Sequence, residues 1–453
     1  MNTSHTGAAG RQHLEGIARE TWQFAGLMVF FWASVVTLEG FLVPYLTSIG
    51  FGSGAAGMVM SSIFLANLVS APLWGAVCDA GDRHRSVMII ALVGSTASVL
   101  LIQLAAPRFL PVILLGIAYS ATANSMPGVL DSWIMRRRRV EPRIEYGIAR
   151  GFGSAGFALG GVVIGQLSDI FSPAVLFPAY ATFAAVAIVL ILRMPRGGTP
   201  PKAQRTSEGS AATEEGTAAA AGSPEHHADS DADSMDPYVD VHAEADRPVA
   251  PAKQTLSLDI LKAILTSTPY LVFLAVSLII FIQLRAAITF LPLLVYETGG
   301  SNIHVGLTQS VSAGSEVPFM FATAFLLRKF PPRALLLFGM CVFIVRIGLM
   351  GWIESPQLLV AMQLLHGLSF GIFMPVSIHY IDRIAPRRYA TVFQTFAPSF
   401  YFGIGSVVGS SLGGLFVEQF GLVTMYRTIW IPVAVATAVF AAYLLRGRRP
   451  AAS

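Results

Sequence analysis

The chain has 453 residues and a formal net charge of +4, and 54% of its residues are hydrophobic whereas only 12% are charged. Soluble proteins carry about 25% charged residues, so this composition excludes a soluble domain and indicates a polytopic membrane protein. The two cysteines, Cys78 and Cys341, lie far apart in apolar surroundings, which argues against a disulfide framework or a cysteine metal site. The first 21 residues are polar, and we expect no cleavable signal peptide.

Twelve apolar segments are long enough to cross a bilayer, which takes about 20 helical residues. Six precede a polar break in the chain and six follow it. We therefore predict an all-α membrane protein with an N-terminal bundle over 22–194, a C-terminal bundle over 266–446, and tails at 1–21 and 447–453. The predicted spans are 22–46, 54–78, 87–106, 110–135, 146–168, 173–193, 269–297, 303–327, 334–353, 357–381, 389–416 and 424–445.

The break at 195–265 is rich in Ala, Ser, Pro, Gly, Asp and Glu. Such a composition buries too little apolar surface to offset the entropy of ordering, so we predict a disordered cytoplasmic linker. The end of the break, LSLDILKAILTS from Leu256, places Leu and Ile residues at helical spacing. We predict that this stretch is a helix lying along the membrane surface.

Lys and Arg residues concentrate in the loops that follow even-numbered spans and near both ends of the chain. Cytoplasmic loops carry an excess of these residues, so we expect both termini in the cytoplasm and the protein in the cytoplasmic (inner) membrane. The basic pI of about 9.1 then reflects topology, and we expect no nucleic-acid partner. The basic loop residues are Arg83, Arg85, Arg136, Arg137, Arg138, Arg139, Arg143, Arg193, Arg196, Arg328, Lys329, Arg333, Arg383, Arg387 and Arg388.

The fifth span of each half has glycines four residues apart. Gly156 and Gly160 stand in GFGSAGFALGG, and Gly405 and Gly409 stand in YFGIGSVVGSSLGG. Small residues at this spacing let helices approach closely. Because the pattern occupies corresponding positions, it indicates two duplicated six-helix halves, which is typical of transporters that rock around a central site.

The loop after the second span reads GAVCDAGDRHRS. It resembles the G-x-x-x-D-(R/K)-x-G-R-(R/K) motif of the major facilitator superfamily, with Gly75, Asp79 and Arg83 in matching places and Ala80 in place of the first basic residue. The resemblance implies a fold of two pseudo-symmetric six-helix bundles. It also implies that the three matching residues act in conformational change and not in substrate binding.

Several ionisable residues stand inside the predicted spans. A charge at the bilayer centre costs at least about 2.5–3.5 kcal/mol, so such residues face the bundle interior and pair. At about 1.5 Å per residue, Glu316, Arg346 and His366 share one layer near the midplane. Histidine titrates near neutrality, so we predict a proton-exchanging cluster, with a purely structural charge network as the alternative. The intramembrane ionisable residues are Glu39, Asp131, Arg150, Arg285, Glu316, Arg346 and His366.

Asp131 and Arg150 also match in depth, each near the basic end of its span. Opposite charges at one depth can pair inside the protein. The alternative is that each side chain extends to the membrane interface, where its charge stays hydrated.

Three segments resemble the lactose permease branch of the superfamily. They are IEYGIARGFGSAGFALG at 144–160, AGSEVPFMFATAFLLRKFPPRALLLFGMCVFIVRIG at 313–348 and QLLHGLSFGIFMPVSIHYI at 363–381. The branch comprises oligosaccharide–proton symporters, and phenylpropionate-type and nucleoside-type permeases are similar. The resemblance implies a proton-coupled transporter of a small organic solute.

The resemblance also implies roles for individual residues. Arg150 matches an arginine that binds sugar hydroxyls, and Asp131 lies where a glutamate pairs with it. Glu316 matches an acid between the sugar and proton sites, and Arg346 and His366 match members of the proton-coupling cluster. Three positions depart from the family pattern: Phe157 replaces a Trp that stacks on the sugar ring, Ile148 replaces an arginine, and Ser369 replaces the principal proton-carrying Glu.

These observations predict proton-coupled import of a sugar by alternating access, in a monomer that needs no cofactor or metal and catalyses no reaction. The predicted substrate contacts are Asp131, Arg150, Asn124, Phe157 and Glu316. Glu39 and Arg285 either extend the charge network across the two halves or contact an ionic substrate. The alternatives are a symporter of an aromatic acid or nucleoside, an effluxer of drugs or sugars, and a membrane sensor that transports nothing.

Overall fold

The computed structural model describes residues 18–81, 83–194 and 258–446, apart from the side chains of Asp79 and Leu258. Over this part of the chain the structure is helical and has no strand. Twelve helices are long and apolar enough to cross a membrane, which confirms the predicted number of spans. Spans 1 to 12 are Arg19–Ser48, Ser53–Cys78, His84–Ala105, Phe109–Val140, Tyr146–Ile170, Pro173–Arg193, Thr268–Glu297, Asn302–Lys329, Pro332–Met350, Pro356–Ile384, Arg387–Phe420 and Leu422–Arg446.

The two ends of the described chain, Ala18 and Arg446, lie on the same side because the number of spans is even. The arginine-rich loops after even-numbered spans lie on that side, which we call the basic face; the other side is the opposite face. The predicted tails before Ala18 and after Arg446 lie outside the described residues, as does most of the predicted 195–265 linker.

A short helix, Leu258–Thr266, precedes span 7 and confirms the helical spacing seen at the end of the break. Its buried side chains are those of Ile260 and Ile264. Leu261 and Leu265 are exposed on its other face. Contact of this face with the membrane surface stays a prediction.

Spans 4 and 10 each contain one π-helical turn near the middle, at Ser120–Asn124 and Gly367–Gly371. These turns stand at corresponding places in the two halves. A π turn inserts a residue into an α-helix and is frequent at functional sites. Both turns adjoin the space between the bundles, since Asn124 and Phe370 border the cavity described below.

The predicted glycine stripes lie where helices of one bundle cross closely. A Cβ atom on Gly156 would overlap the backbone of Val29 in span 1, and one on Gly409 would overlap the carbonyl oxygen of Ile282 in span 7. Spans 1 and 5 therefore approach each other as spans 7 and 11 do. This matched packing supports the duplication that the sequence predicts.

The two bundles meet near the opposite face through two pairs of spans. Span 2 packs on span 11, where a Cβ on Gly57 would overlap the carbonyl oxygen of Ser410. Span 8 packs on span 5, where a Cβ on Gly306 would overlap the carbonyl oxygen of Gly161. The contact between bundles is thus backbone to backbone on this side, and it leaves no room for a passage there.

Candidate functional site

A cavity of about 690 Å³ lies between the two bundles. A second cavity of about 480 Å³ continues it along spans 2 and 4, and the two share Asn67, Ala71, Asn124 and Pro127. The second cavity extends to Gly75 and Ser132, which stand near the basic ends of their spans. The space is therefore closed at the opposite face and continues towards the basic face.

Glu316 and His366 are hydrogen-bonded to each other in the wall of this cavity, with 2.9 Å between Glu316 Oε1 and His366 Nε2. The glutamate side chain is 28% exposed and the histidine side chain 8%. The histidine ring stacks on Phe370 at 5.1 Å between centroids. The carboxylate thus borders the cavity while the imidazole behind it is held by packing.

Arg346 takes a partner that the sequence did not indicate. Its Nη2 donates to Oε1 of Gln363 at 2.6 Å, and the guanidinium is buried. Gln363 in turn donates to the carbonyl oxygen of Leu359 and accepts from the hydroxyl of Ser312. The predicted cluster is therefore two adjacent pairs, Glu316 with His366 and Arg346 with Gln363, in the same cavity wall.

Ser369, at the position of the family's proton-carrying Glu, is fully buried. Its hydroxyl donates to the carbonyl oxygens of Leu365 and His366, at 2.8 and 3.1 Å. Both acceptors belong to the preceding turn of the same span. The Ser369 hydroxyl therefore donates to backbone acceptors, and this position carries no carboxylate that could exchange a proton.

Glu39 and Arg285 approach the cavity from different bundles and attract each other. Arg285 lies over the Phe64 ring with 4.1 Å between Cζ and the ring centroid, and its Nε donates to Ser406 Oγ at 3.1 Å. A cation over an aromatic face is stabilised by the ring quadrupole. A residue of span 2, in the N-terminal bundle, thus helps to hold a guanidinium of the C-terminal bundle.

Of the predicted substrate contacts, Asn124, Phe157 and Glu316 line the cavity. Asp131 and Arg150 attract each other but are not among the lining residues. The guanidinium of Arg150 instead lies over the ring of Trp32, 5.0 Å from its centroid.

Trp32 lines the cavity and meets Phe157 edge-on at 6.2 Å between centroids. It borders the space that Arg150 does not reach, so Arg150 can act on the cavity through this ring.

Other cavity residues carry polar atoms or aromatic rings that the sequence did not single out. They include Trp32, Phe64, Asn67, Gln309, Gln363 and Ser406. For Asn67 alone among these residues, we identify an indication in the sequence. The number of residues between Asn67 and Glu316 equals the number between Gly156 and Gly405, which are corresponding positions in the two halves. Asn67 is therefore the counterpart of Glu316 in the other half.

The predicted conformational motif lies at the basic end of span 2. Gly75 borders the second cavity, and Arg83 is exposed just before span 3. The side chain of Asp79 is outside the described residues, so its predicted tie between helices stays a prediction.

The sequence as a whole matches a family model over residues 21–428, described as the MFS_1 like family. This chain belongs to that family, within the major facilitator superfamily. The cavity between two six-helix bundles agrees with this membership. The protein is accordingly a multi-pass membrane transporter.

Relatives within the superfamily differ in what their names say they carry. A maltose permease of Geobacillus stearothermophilus is 26% identical over 395 residues, 84% of this chain and 84% of the permease. The putative nucleoside transporter YegT of Escherichia coli is 29% identical over 140 residues, 28% of this chain and 33% of YegT. The crystal structure of the nucleoside transporter NupG superposes with a TM-score of 0.72 over 96% of this chain and 100% of NupG, and at 16% identity this shows the fold alone.

Proposed function

We propose that this transporter imports a small neutral solute together with a proton, and that the solute is a sugar or oligosaccharide. The observation that carries the proposal is the pair of Glu316 and His366 in the wall of the cavity between the bundles. A carboxylate that borders the cavity and contacts an imidazole can take up and release a proton there. The pair stands next to Arg346 and Gln363, so a proton changes the charge balance of one whole wall.

A neutral substrate follows from the charges of the cavity. With His366 neutral, the lining includes the carboxylates of Glu39 and Glu316 and the guanidiniums of Arg285 and Arg346. These charges cancel, so an anion such as an aromatic acid would meet no excess positive charge. The site therefore favours a solute that is bound by hydrogen bonds and ring contacts.

A sugar fits the lining and agrees with the wider resemblance. Asn67, Asn124 and Gln309 offer amide donors and acceptors to hydroxyl groups, and Trp32 and Phe157 offer apolar ring surface. The lactose permease-like segments and the similarity to a maltose permease both point to the same substrate class.

A nucleoside is the second candidate. The rings of Trp32, Phe64 and Phe157 could equally stack on a flat base, and base–aromatic stacking is worth roughly 1–3 kcal/mol. The similarity to YegT over part of the chain supports this reading. Sugar and nucleoside share the ribose-like hydroxyl chemistry, so the amide groups do not separate them.

Uptake into proteoliposomes tests both candidates directly. The panel contains disaccharides, nucleosides and aromatic acids, with and without an imposed pH gradient. We expect one disaccharide or nucleoside class to accumulate, and we expect addition of that substrate alone to acidify the lumen of the vesicles. Accumulation that is independent of the pH gradient would contradict proton coupling, and accumulation of only an aromatic acid would contradict a neutral substrate.

We further propose that the protein is a monomer in the cytoplasmic membrane with the basic face in the cytoplasm. With this orientation, the cavity is open to the cytoplasm and closed to the outside. Rocking of one bundle against the other would then expose the same cavity to the outside.

Arg150 and Trp32 are expected to act together on the substrate. We expect Trp32→Ala to weaken substrate affinity about tenfold or more, and Arg150→Ala to weaken it roughly 2- to 30-fold, as for loss of a cation–π contact. If Arg150 acts through the ring, the double variant binds no more weakly than Trp32→Ala alone. Isothermal titration calorimetry on the two single variants and the double variant measures these affinities. Losses of binding free energy that add up would instead make Arg150 an independent contact.

A further inference from the structure

The end of span 5 carries a carboxylate that caps the start of span 8 in the other bundle. Asp169 accepts hydrogen bonds from the backbone N–H groups of Asn302 and Ile303, at 2.8 and 2.9 Å. It also accepts from the hydroxyl of Ser301 at 2.8 Å and the side-chain amide of Asn302 at 2.9 Å. Asp169 therefore binds the first turn of span 8 through four donors.

The end of span 11 does the same to the start of span 2. Glu418 Oε2 accepts from the backbone N–H of Gly54 at 3.0 Å. The carboxylate lies so close that a Cβ on Gly54 would overlap it. Both contacts lie at the opposite face, and both join one bundle to the other.

The two caps are counterparts in the duplicated halves. The interval between Asp169 and Glu418 also separates Gly54 from Ile303 and Gly57 from Gly306. The same interval relates two serine contacts nearby, in which Ser61 donates to the Val407 carbonyl and Ser310 to the Ala158 carbonyl. An acid cap, a glycine crossing and a serine hydrogen bond therefore occur twice, in the same order.

A carboxylate at this place is favourable for a definite reason. The first backbone N–H groups of a helix have no partner within the helix, and the helix dipole places partial positive charge there. Each cap comes from the other bundle, so its hydrogen bonds exist only while the bundles are in contact at the opposite face. Separating the bundles there leaves the N–H groups and the carboxylate to water.

We propose that Asp169 and Glu418 are positioning residues that hold the opposite face closed and set the balance between the two facing states. This rests on the alternating access of the proposed function. The cap of span 8 has four donors and the cap of span 2 has one, so Asp169 contributes more to closure than Glu418 does. Neither side chain lines the cavity, so the two residues act without touching the substrate.

Labelling of a cysteine buried within the closure measures this balance without any substrate. Ser61 is 6% exposed and lies where spans 2 and 11 meet, so Ser61→Cys reacts with a maleimide only when the opposite face opens. The other changes are added to this full-length protein with Cys78 and Cys341 replaced. Because opening precedes reaction, the labelling rate is proportional to the open population.

We expect labelling to accelerate about fivefold in Glu418→Gln and on the order of tenfold or more in Asp169→Ala, as for loss of a helix cap. Asp169→Asn keeps an acceptor oxygen without the charge and should lie between Asp169→Ala and the parent. The matched control is Glu297→Gln, an exposed carboxylate at the end of span 7 that makes no hydrogen bond among the described residues.

Gly306→Leu is expected to force the two bundles apart at Gly161. Its labelling rate is the reference for a protein whose opposite face is open. If Gly306→Leu labels fast while the Asp169→Ala/Glu418→Gln double variant labels at the parent rate, the caps do not hold the closure and the proposal is wrong. If Gly306→Leu also labels at the parent rate, the crossing tolerates the added side chain, and a parent labelling rate in the double variant still contradicts the proposal. A wrong substrate or a missing proton coupling leaves these labelling rates unchanged and is detected only by the uptake panel.

Discussion

Glu316→Gln is expected to abolish substrate accumulation while substrate exchange at equal concentrations continues. The amide can still contact His366 at the 2.9 Å separation, so the fold and the cavity wall are retained. It cannot take up a proton, and this removes the coupling of transport to the pH gradient. Thermodynamic couplings between sites are worth about 5- to 150-fold, so the accumulation ratio should fall on the order of tenfold or more.

Steady-state uptake and counterflow in the same proteoliposomes separate these two effects. Glu297→Gln is the matched control, because it removes an exposed carboxylate from the opposite face and should leave both measurements unchanged. Undiminished pH-driven accumulation by Glu316→Gln would exclude this carboxylate as the proton site. Equal loss of accumulation and counterflow would assign it to substrate binding alone.

The architecture could be predicted from the sequence because the bilayer constrains it. Backbone groups within a membrane must be satisfied inside the segment, so each apolar run of sufficient length is a helix. All twelve predicted spans have counterparts in the structure. The glycines near 156 and 405 fixed the correspondence of the halves, because only small residues allow such close crossing.

The depth of a side chain could be predicted, but its direction around the helix could not. Glu316, Arg346 and His366 do share one cavity wall, as their matched depth indicated. The hydrogen bond of Arg346 nevertheless goes to Gln363, one turn before His366, because the rotation of span 10 turns that side chain towards span 9. The direction of Arg150 around span 5 could not be predicted either. Its guanidinium lies over the ring of Trp32 although its depth matches that of Asp131.

Uncharged cavity residues were harder to predict. Placing such a side chain in the bilayer costs less free energy than placing a charge there, so its presence in a span does not by itself indicate a functional site. A tryptophan such as Trp32 is an ordinary residue of an apolar helix. Asn67 and Gln309 are polar but carry no charge to be compensated. Only the position of Asn67 as the counterpart of Glu316 could have distinguished it, and this requires the interval between the halves to be known.

Gly57→Leu and Gly306→Leu are each expected to abolish uptake by preventing closure at the opposite face. A side chain at Gly57 would overlap the carbonyl oxygen of Ser410, and one at Gly306 would overlap that of Gly161. These neighbours are backbone atoms, which cannot turn aside as a flexible side chain can. Overpacking typically costs about 1–3 kcal/mol, so the closed population should fall roughly 5- to 150-fold.

Distances between spin labels at Arg108→Cys and Glu354→Cys measure this opening, because these exposed loop residues lie at the opposite face in different bundles. We expect both leucine variants to lengthen the distance and to bind substrate without turning it over. Gly314→Leu is a matched control in span 8, since a Cβ at this position meets no atom within 4 Å. An unchanged distance in both Gly57→Leu and Gly306→Leu would mean that the bundles tolerate the added side chains without separating. The closure would then be compliant, and transport would have to proceed by a movement other than rocking about these crossings.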